Sequence, residues 1–338
     1  MQKSSEPACG RVVKGIEAIA VVGLCAAERR RYAMRLAGAR GYVFVPAEQT
    51  AQGIETIDRL VDLIGLASGV HGFVLEYDDG TCCAEIIGAL SAPETRAVLT
   101  DLVCVLDPVC LPGDLESEDR AAVLVDQVEF ASTLALLKAD ISDLAGIADA
   151  LGLIEHLAPE AGQYLIDGDD VHGPWCWNFG EGPPAAGWTA ILNSEFRPPS
   201  RPGRVSACRF EQARPFHPQR LQAVLTAALG EDCWGRIVRS AGFARLASRL
   251  YVTAHWDQAV TRLLLSPMPA DPVAGGGVEL LAWGQDLAFI GLDLDEAGLC
   301  EALDRAVLTD AELLAGPMAW LEYPDEFPAW DSARRPGG

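Results

Sequence analysis

The sequence predicts an α/β protein in which a parallel-sheet domain comes first and a smaller α+β domain follows. Its 338 residues suit two domains of ordinary size. Apolar, β-rich runs alternate with helical patterns through the first half, and this alternation is typical of a doubly wound parallel sheet. After residue 166 the composition becomes rich in Gly, Pro and Trp, and a second series of strand and helix patterns begins at Arg204.

These changes divide the chain into four predicted segments. Residues 1–166 form the sheet domain. Residues 167–203 form a linker, which we expect to be ordered because it carries three tryptophans. Residues 204–322 form the second domain, and residues 323–338 are a Pro-rich tail.

Hydrophobic spacing predicts each element of the first domain. The run Gly15–Gly23 is apolar and β-rich, as a buried parallel strand would be. Ala26–Leu36 follows with helix-forming residues, and Tyr42–Val45 is the next strand. The remaining predictions are helices at Gln52–Leu66, Cys83–Leu90 and Glu118–Ser132, and strands at Phe73–Leu75, Leu102–Leu106 and Leu134–Leu137.

The second domain has fewer helices and more strands. We predict a strand at Val205–Phe210 and a helix at Pro218–Leu229. Several strands follow, and a helix at Asp295–Val307 comes after them. This order is that of an α+β domain.

The chain is strongly acidic, with 26 Lys and Arg residues, 48 Asp and Glu residues and a formal net charge of −22. Direct binding of nucleic acid requires positive charge at the phosphates, so we expect none. The charge favours a basic protein partner, although it also serves solubility alone. The sequence has no apolar run long enough to span a bilayer, and Met1–Gly10 lacks an apolar signal core. We therefore expect a cytoplasmic protein whose ten cysteines are thiols.

The turn after the first strand has the context of a phosphate-binding P-loop but not its residues. Gly23 is retained, whereas Glu28 occupies the position of the second glycine. Arg29 stands where the loop carries its Lys, and Arg30 stands where it carries the Ser or Thr that binds Mg²⁺. We therefore do not expect GTP with Mg²⁺ to bind. Arginines can still pair with an anion, but an ordinary β–α connection is the favoured interpretation.

A second nucleotide signal lies at the end of the strand Leu134–Leu137. Guanine-reading motifs have the form Asn-Lys-x-Asp, and Lys138 and Asp140 fit the last part of that pattern. Leu137 replaces the Asn. The alternative is a helix N-terminus with Asp140 or Ser142 as its cap.

Five stretches of the second half resemble the C-terminal domain of the CobW family, in the same order along the chain. They are Arg214–Leu221 (RPFHPQRL), Arg239–Phe243 (RSAGF), Gly284–Gly291 (GQDLAFIG), Leu308–Glu312 (LTDAE) and Phe327–Trp330 (FPAW). Trp188–Asn193 also resembles the segment that introduces this domain. The resemblance implies an N-terminal domain of the P-loop type, here degenerate, and a role in zinc homeostasis.

The first half is similar to the family over shorter stretches. Gln127–Ala131 (QVEFA) resembles a segment that precedes the guanine-reading strand, and Asp79–Cys83 lies where the family carries its zinc-binding GCxCC motif. The resemblance implies Cys82 and Cys83 as zinc ligands, with Gly80 in place of the first cysteine, and a vestigial nucleotide site. That site would comprise Gly23, Arg29, Lys138 and Asp140.

Zinc prefers four ligands, so further candidates are needed beside Cys82 and Cys83. Cys25 and Cys110 follow strands and are expected at the same edge of the sheet, and of these Cys25 is the better candidate. The alternative is that Cys25 is a small core residue and that the adjacent pair is a remnant. Both interpretations stay open.

The stretch beginning at Arg214 has two interpretations as well. Pro218 suits the first turn of a helix, and Phe216 suits a hydrophobic contact beside that turn. The structural interpretation is therefore a device that starts a helix. The functional one is a partner surface made of Arg214, Phe216, His217 and Arg220.

The favoured functional hypothesis is a zinc-homeostasis protein that does not hydrolyse GTP and that acts as an adaptor for a protein partner. The resemblance includes a group with a degenerate P-loop, called Mrf, which recruits a ribosome-hibernation factor under zinc limitation. The partner would then be a basic, ribosome-associated protein. The alternatives are a GTP-dependent zinc metallochaperone with an atypical P-loop, and a scaffold without ligands. No arrangement of catalytic residues is predicted.

Overall fold

The computed structural model describes residues 15–51, 53, 59, 71–92, 95–138, 144–173, 176–197, 203–230, 232–250, 252–268 and 284–330. The chain forms two compact units, which divide between Ala186 and Gly187. This division falls inside the segment 167–203. Among the described residues, no helix combines the length and the apolar character needed to cross a membrane.

The first unit contains six strands. They are β1 (Ile16–Val22), β2 (Val43–Val45), β3 (Gly72–Glu76), β4 (Ala97–Leu106), β5 (Thr133–Leu137) and β6 (Gly162–Ile166). Their order in the sheet is β2-β3-β1-β4-β5-β6, and every pair is parallel. The predicted α/β class and parallel sheet are confirmed.

Helices connect these strands. They are α1 (Ala26–Arg40), α2 (Ala47–Thr50), α3 (Cys83–Ser91), α4 (Leu111–Asp114), α5 (Glu118–Phe130) and α6 (Leu144–Leu157), and a short 3₁₀ helix follows at Phe179–Glu181. The helix predicted at Gln52–Leu66 falls almost entirely outside the described residues. Helix α6 and strand β6 were not predicted.

Strand β4 begins at Ala97, five residues before the predicted start at Leu102. The extension contains Asp101, which has no exposed surface. Its carboxylate accepts hydrogen bonds from the hydroxyls of Ser132 at 2.6 Å and Thr133 at 2.9 Å. A buried carboxylate with such partners can lie inside a strand, although hydrophobic spacing alone does not predict it there.

The second unit contains an antiparallel sheet. Its strands are β7 (Val205–Gln212), β8 (Arg236–Ala244), β9 (Ala254–Ala259), β10 (Arg262–Pro267) and β11 (Gln285–Leu292), in the order β10-β9-β8-β11-β7. Its helices are α7 (Gly187–Leu192), α8 (Pro218–Gly230), α9 (Glu296–Ala306), α10 (Asp310–Ala315) and α11 (Pro317–Trp320). The core beneath α8 and α9 includes Phe216, Leu221, Trp256 and Phe289. This arrangement confirms the predicted α+β domain.

Candidate functional site

The turn after β1 lies at the carboxyl edge of the parallel sheet, where open α/β folds bind ligands. Gly23 has a φ of 144°. A Cβ atom at this position would lie 2.4 Å from the carbonyl oxygen of Val105 in β4. Only glycine fits at this distance, so Gly23 is required for the close approach of two chain segments.

Arg29 lies in the first turns of α1 and is buried, with 3% of its surface exposed. Its Nη1 donates to the carbonyl oxygen of Gly23 at 2.6 Å and to Asp79 at 3.3 Å. Its Nε donates to Oε1 of Glu76 at 3.3 Å. The guanidinium group that stands in the P-loop lysine position therefore binds groups of the protein itself.

Arg30 binds carboxylates in the same way. Its Nε donates to Oε2 of Glu76 at 3.0 Å, and its Nη2 donates to both oxygens of Glu48 at 2.7 and 2.8 Å. The hydrogen bond to Glu48, followed by that to Glu76, raises the pKa of Arg30 above its usual value. Glu76 also accepts a hydrogen bond from the backbone N–H of Ala47 at 3.3 Å. We call Arg29, Arg30, Glu48, Glu76 and Asp79 the first-turn ion network.

A cavity of about 490 Å³ lies beside this network. Its lining consists of Ala26, Ala27, Arg29, Arg30, Ala47, Glu48, Ala51, Glu76 and Asp78. Three carboxylates therefore face a space that has only two guanidinium groups, and both guanidinium groups already bind carboxylates. A triphosphate in this cavity would meet negative charge that is not neutralised.

The second predicted nucleotide signal is only partly described. Lys138 follows β5, and its Nζ lies 2.7 Å from Oδ2 of Asp167. Both side chains are exposed. Asp140 lies outside the described residues, so its predicted role in nucleotide binding stays a prediction.

The cysteines predicted as zinc ligands have different environments. Cys82 is exposed and directly precedes α3, whereas Cys83 is fully buried in its first turn. Burial raises the pKa of the Cys83 thiol well above its usual value, and the nearby Asp126 raises it further. Burial also raises the pKa of Cys25, with a further contribution from Asp107. Both effects favour the neutral thiol over the thiolate.

Among the described parts of the chain, no group of three or more His, Cys, Asp or Glu residues could hold a metal ion. Cys25, Cys82 and Cys83 are therefore not brought together as a ligand set. The three cysteines stay predicted ligands.

A buried polar cluster in the first unit was not predicted. Nε2 of His172 lies 2.8 Å from Oδ2 of Asp101, and its Nδ1 is hydrogen-bonded to the hydroxyl of Tyr32. All three residues are at least 95% buried. The sequence gives no signal for the cluster because Tyr32 and His172 are 140 positions apart. The cluster attaches the segment after β6 to α1.

The predicted partner surface in the second unit needs a correction at Phe216. Its side chain has no exposed surface and stacks on Phe210, with 6.0 Å between ring centroids. Its backbone N–H donates to the carbonyl oxygen of Arg245 at 2.8 Å. Phe216 is a core residue and cannot contact a partner, because the apolar side chain fills the space under α8.

His217 is also mostly buried, with 9% of its surface exposed. Its ring stacks on Tyr323 with 4.5 Å between centroids. Burial, with a contribution from Arg220, lowers the pKa of His217 below its usual value. Burial therefore favours the neutral ring, which packs within the unit.

Arg214 and Arg220 bind the segment that follows α9. Arg214 donates to Asp310 at 2.6 Å and to the carbonyl oxygen of Leu308 at 3.2 Å. Arg220 donates to both carboxylate oxygens of Glu312 at 2.9 and 2.7 Å. These contacts join two of the stretches that carry the family resemblance, RPFHPQRL and LTDAE.

Two further sets of contacts involve these stretches. Nε2 of Gln285, in GQDLAFIG, donates to the carbonyl oxygen of Arg214 at 2.9 Å. Arg249 pairs with Asp325 at 2.7 Å and lies over the ring of Trp330 in the FPAW stretch, 4.2 Å from its centroid. The recognisable residues of this unit therefore hold the fold together.

A comparison with known protein families agrees with the family resemblance of the second unit. The family profile described as "Cobalamin synthesis protein cobW C-terminal domain" matches residues 205–307. "Zinc-regulated GTPase metalloprotein activator 1" of Dictyostelium discoideum is 27% identical over 235 residues, which are 63% of this chain and 49% of that protein. The chain thus spans about half the length of this curated relative.

Solved structures of a Zn(II)-bound GTPase show a distant likeness. YjiA GTPase from E. coli aligns over 88% of this chain and 100% of its own, with 13% identity and a TM-score of 0.39. A Zn(II)-bound triple mutant of YjiA aligns over the same shares with 13% identity and a TM-score of 0.41. Likeness at this level establishes nothing further. Residues 205–307 match the CobW C-terminal domain, and the chain is similar over 235 residues to the curated relative.

Proposed function

We propose that this chain is a CobW-family protein of zinc homeostasis that does not hydrolyse GTP and that acts by binding a protein partner. The name of the curated relative, a zinc-regulated activator of metalloproteins, supports zinc and a protein partner. The strongly acidic composition supports a basic partner. The first-turn ion network is the observation that carries the loss of GTP hydrolysis.

The electrostatic reason is local. In a working P-loop the lysine and the backbone N–H groups meet the β and γ phosphates, and a hydroxyl binds Mg²⁺. Here Arg29 is already bound by Gly23, Glu76 and Asp79. Arg30 offers no hydroxyl for Mg²⁺. A phosphate group would have to displace a buried carboxylate from its partner, which is costly because the displaced charge stays buried.

Calorimetric titration with GTP and Mg²⁺ tests this proposal. We expect no heat of binding beyond dilution and no release of phosphate. Tight binding with turnover would instead support the alternative of a GTP-dependent zinc metallochaperone, which the name of the curated relative favours. Substituting Asp140→Ala separates that alternative from unspecific anion binding, because only guanine recognition depends on Asp140.

Zinc titration tests the metal part of the proposal. We expect Cys82→Ser with Cys83→Ser to lose a zinc site that the parent has. The matched control is Cys176→Ser with Cys233→Ser, which removes two exposed cysteines elsewhere. If the parent and both double variants bind zinc equally, the predicted ligands are wrong. If the parent binds none, the chain acts without zinc, as in the scaffold alternative.

The resemblance to the Mrf group supports one kind of partner. We propose a basic ribosome-associated protein, such as a ribosome-hibernation factor, as the molecule that this chain recruits under zinc limitation. Co-sedimentation of the purified chain with ribosomes, with and without such a factor, tests this role. Sedimentation that does not depend on the factor would contradict recruitment.

A further inference from the structure

Helices α10 and α11 of the second unit expose a concentration of apolar side chains. Leu314 is 88% exposed, Met318 77% and Leu321 47%. Eight large apolar side chains are exposed among the described residues, and these three fall within eight consecutive positions. Single exposed apolar residues are ordinary, but a concentration of them marks an interaction surface. We call these three residues the 314–321 patch.

The chain segment beneath this patch is firmly held. Leu313 and Trp320 point inward and pack with Ala247 and Leu308. The indole N–H of Trp320 donates to the carbonyl oxygen of Glu312 at 2.7 Å. The inward packing of the neighbouring residues directs the patch outward. A partner would therefore meet a preorganised surface and would lose little entropy in ordering it.

Hydrogen bonds at the start of α10 hold the segment as well. Thr309 and Glu312 form a complete capping box, which satisfies free N–H groups of the helix. Glu312 is also bound through both of its oxygens by Arg220. The exposure of the patch is consequently a property of an ordered segment and not of a loose end.

The segment that carries the patch has charged side chains of one sign only. Residues 309–330 contain five acidic residues and no Lys or Arg. Three of the five pair with arginines from elsewhere in the unit, namely Asp310, Glu312 and Asp325. Glu322 and Glu326 are exposed and have no ion pair among the described residues. They leave negative charge beside the patch.

We infer that the 314–321 patch binds a basic, amphipathic segment of a partner protein. Apolar side chains of that segment would cover Leu314, Met318 and Leu321, and its Lys or Arg residues would meet Glu322 and Glu326. A second copy of this chain is the poorer occupant, because both copies would bring the same acidic residues to the contact. The inference rests on the proposed adaptor function and names the surface that performs it.

The test uses the full chain and a labelled Leu/Lys amphipathic helical peptide, with binding followed by fluorescence anisotropy at physiological salt. The patch variant is Leu314→Ser with Met318→Ser and Leu321→Ser. The matched control is Met34→Ser with Leu165→Ser and Leu264→Ser, which removes three exposed apolar side chains elsewhere. We expect the patch variant to bind the peptide about tenfold more weakly, as the loss of part of three apolar contacts implies, and the control to bind it as the parent does.

The role of charge is tested with Glu322→Lys and Glu326→Lys, which should weaken binding of the Leu/Lys peptide. A Leu/Glu peptide should not bind to the parent chain. Equal affinities of the patch and control variants would overturn the inference, provided that circular dichroism shows both folded. Two other results would also overturn it. One is a dimer, seen by sedimentation, that dissociates only in the patch variant. The other is peptide binding that is detected only after residues 331–338 are removed. This assay contains neither nucleotide nor zinc. GTP turnover observed in the separate calorimetric test would contradict the proposed function but would not change the peptide-binding result.

Discussion

Each unit contains a pair of arginines that are candidates, from the sequence, for contacts with a ligand or a partner. In both units these arginines bind carboxylates of the protein itself. In the first unit Arg29 and Arg30 share Glu76, and the Arg29 and Glu76 side chains are only 4% and 1% exposed. In the second unit Arg214 pairs with Asp310, whose side chain is 83% exposed. Burial is the main difference between the two clusters.

This difference separates two uses of arginine. A buried ion network can replace a ligand, because it fills the space and satisfies the charges that the ligand would otherwise meet. An exposed network leaves its surroundings accessible and fixes the position of nearby residues. Under the proposed function, the first-turn ion network takes the place of a nucleotide, whereas Arg214 and Arg220 hold the segment that presents the 314–321 patch.

The largest expected effect comes from breaking the buried network. Glu76→Ala leaves buried Arg29 without the carboxylate at its Nε, and we expect it to lower the free energy of unfolding by about 3–5 kcal/mol. Urea unfolding followed by circular dichroism measures this change. The matched control is Glu48→Ala, which removes the exposed carboxylate bound to Arg30 and should cost far less.

A double variant distinguishes charge from packing. Arg29→Met with Glu76→Leu removes both charges and retains apolar volume, so it should recover much of the stability that Glu76→Ala loses. If Glu76→Ala is as stable as the parent, the buried network does not stabilise the turn. The network would then not take the place of a phosphate.

The next largest expected effect is a pH dependence of stability that comes from the ion pair of Arg220 with Glu312. The hydrogen bonds from Arg220 lower the pKa of Glu312 from 4.5 to about 2. Because the folded pKa is the lower one, the pair stabilises the fold above about pH 4.5, and this stabilisation is lost as the pH falls towards 2. Both side chains are partly exposed, so solvent screening limits the gain to about 1–2 kcal/mol.

Unfolding by urea between neutral pH and about pH 3 measures this contribution when the parent is compared with Glu312→Gln. We expect the difference in stability to be largest at neutral pH and to shrink on acidification. A difference that does not change with pH would assign the stability to the capping box at Thr309 and not to the ion pair.

The sequence predicted the fold because burial of apolar strands is a local property. Runs such as Gly15–Gly23 became the buried strand β1, and the helix predicted at Pro218–Leu229 was observed at Pro218–Gly230. Strand β4 was predicted too short because Asp101 is buried with partners from β5 and the residue before it. Such partners cannot be recognised before the neighbouring strands are known.

The candidate site was predictable only in part. The sequence shows that Glu28, Arg29 and Arg30 stand at P-loop positions that other residues usually occupy. It does not show which carboxylate binds Arg29. Glu76 lies 47 positions from Arg29, at the end of a strand that neighbours β1 in the sheet. A Glu that ends an apolar strand was the available signal, and it becomes informative only with the strand order.

A smaller effect is expected at the exposed pair of Arg214 with Asp310. Their side chains are 39% and 83% exposed, so Arg214→Ala should lower the free energy of unfolding by about 1 kcal/mol or less. Part of that loss comes from the hydrogen bond to the carbonyl oxygen of Leu308. Comparing Arg214→Ala with Asp310→Ala separates the contribution of the ion pair from that of the hydrogen bond to Leu308, since only the first variant removes that hydrogen bond.

The smallest effect is expected at Lys138. Its partner Asp167 is 62% exposed and Lys138 itself 58%, so Lys138→Ala should change the free energy of unfolding by less than about 0.5 kcal/mol. The same variant also bears on nucleotide binding. If the chain bound GTP through a guanine-reading motif, Lys138→Ala would weaken that binding although stability stayed the same. An unchanged calorimetric trace with GTP, together with unchanged stability, is what an ordinary surface ion pair requires.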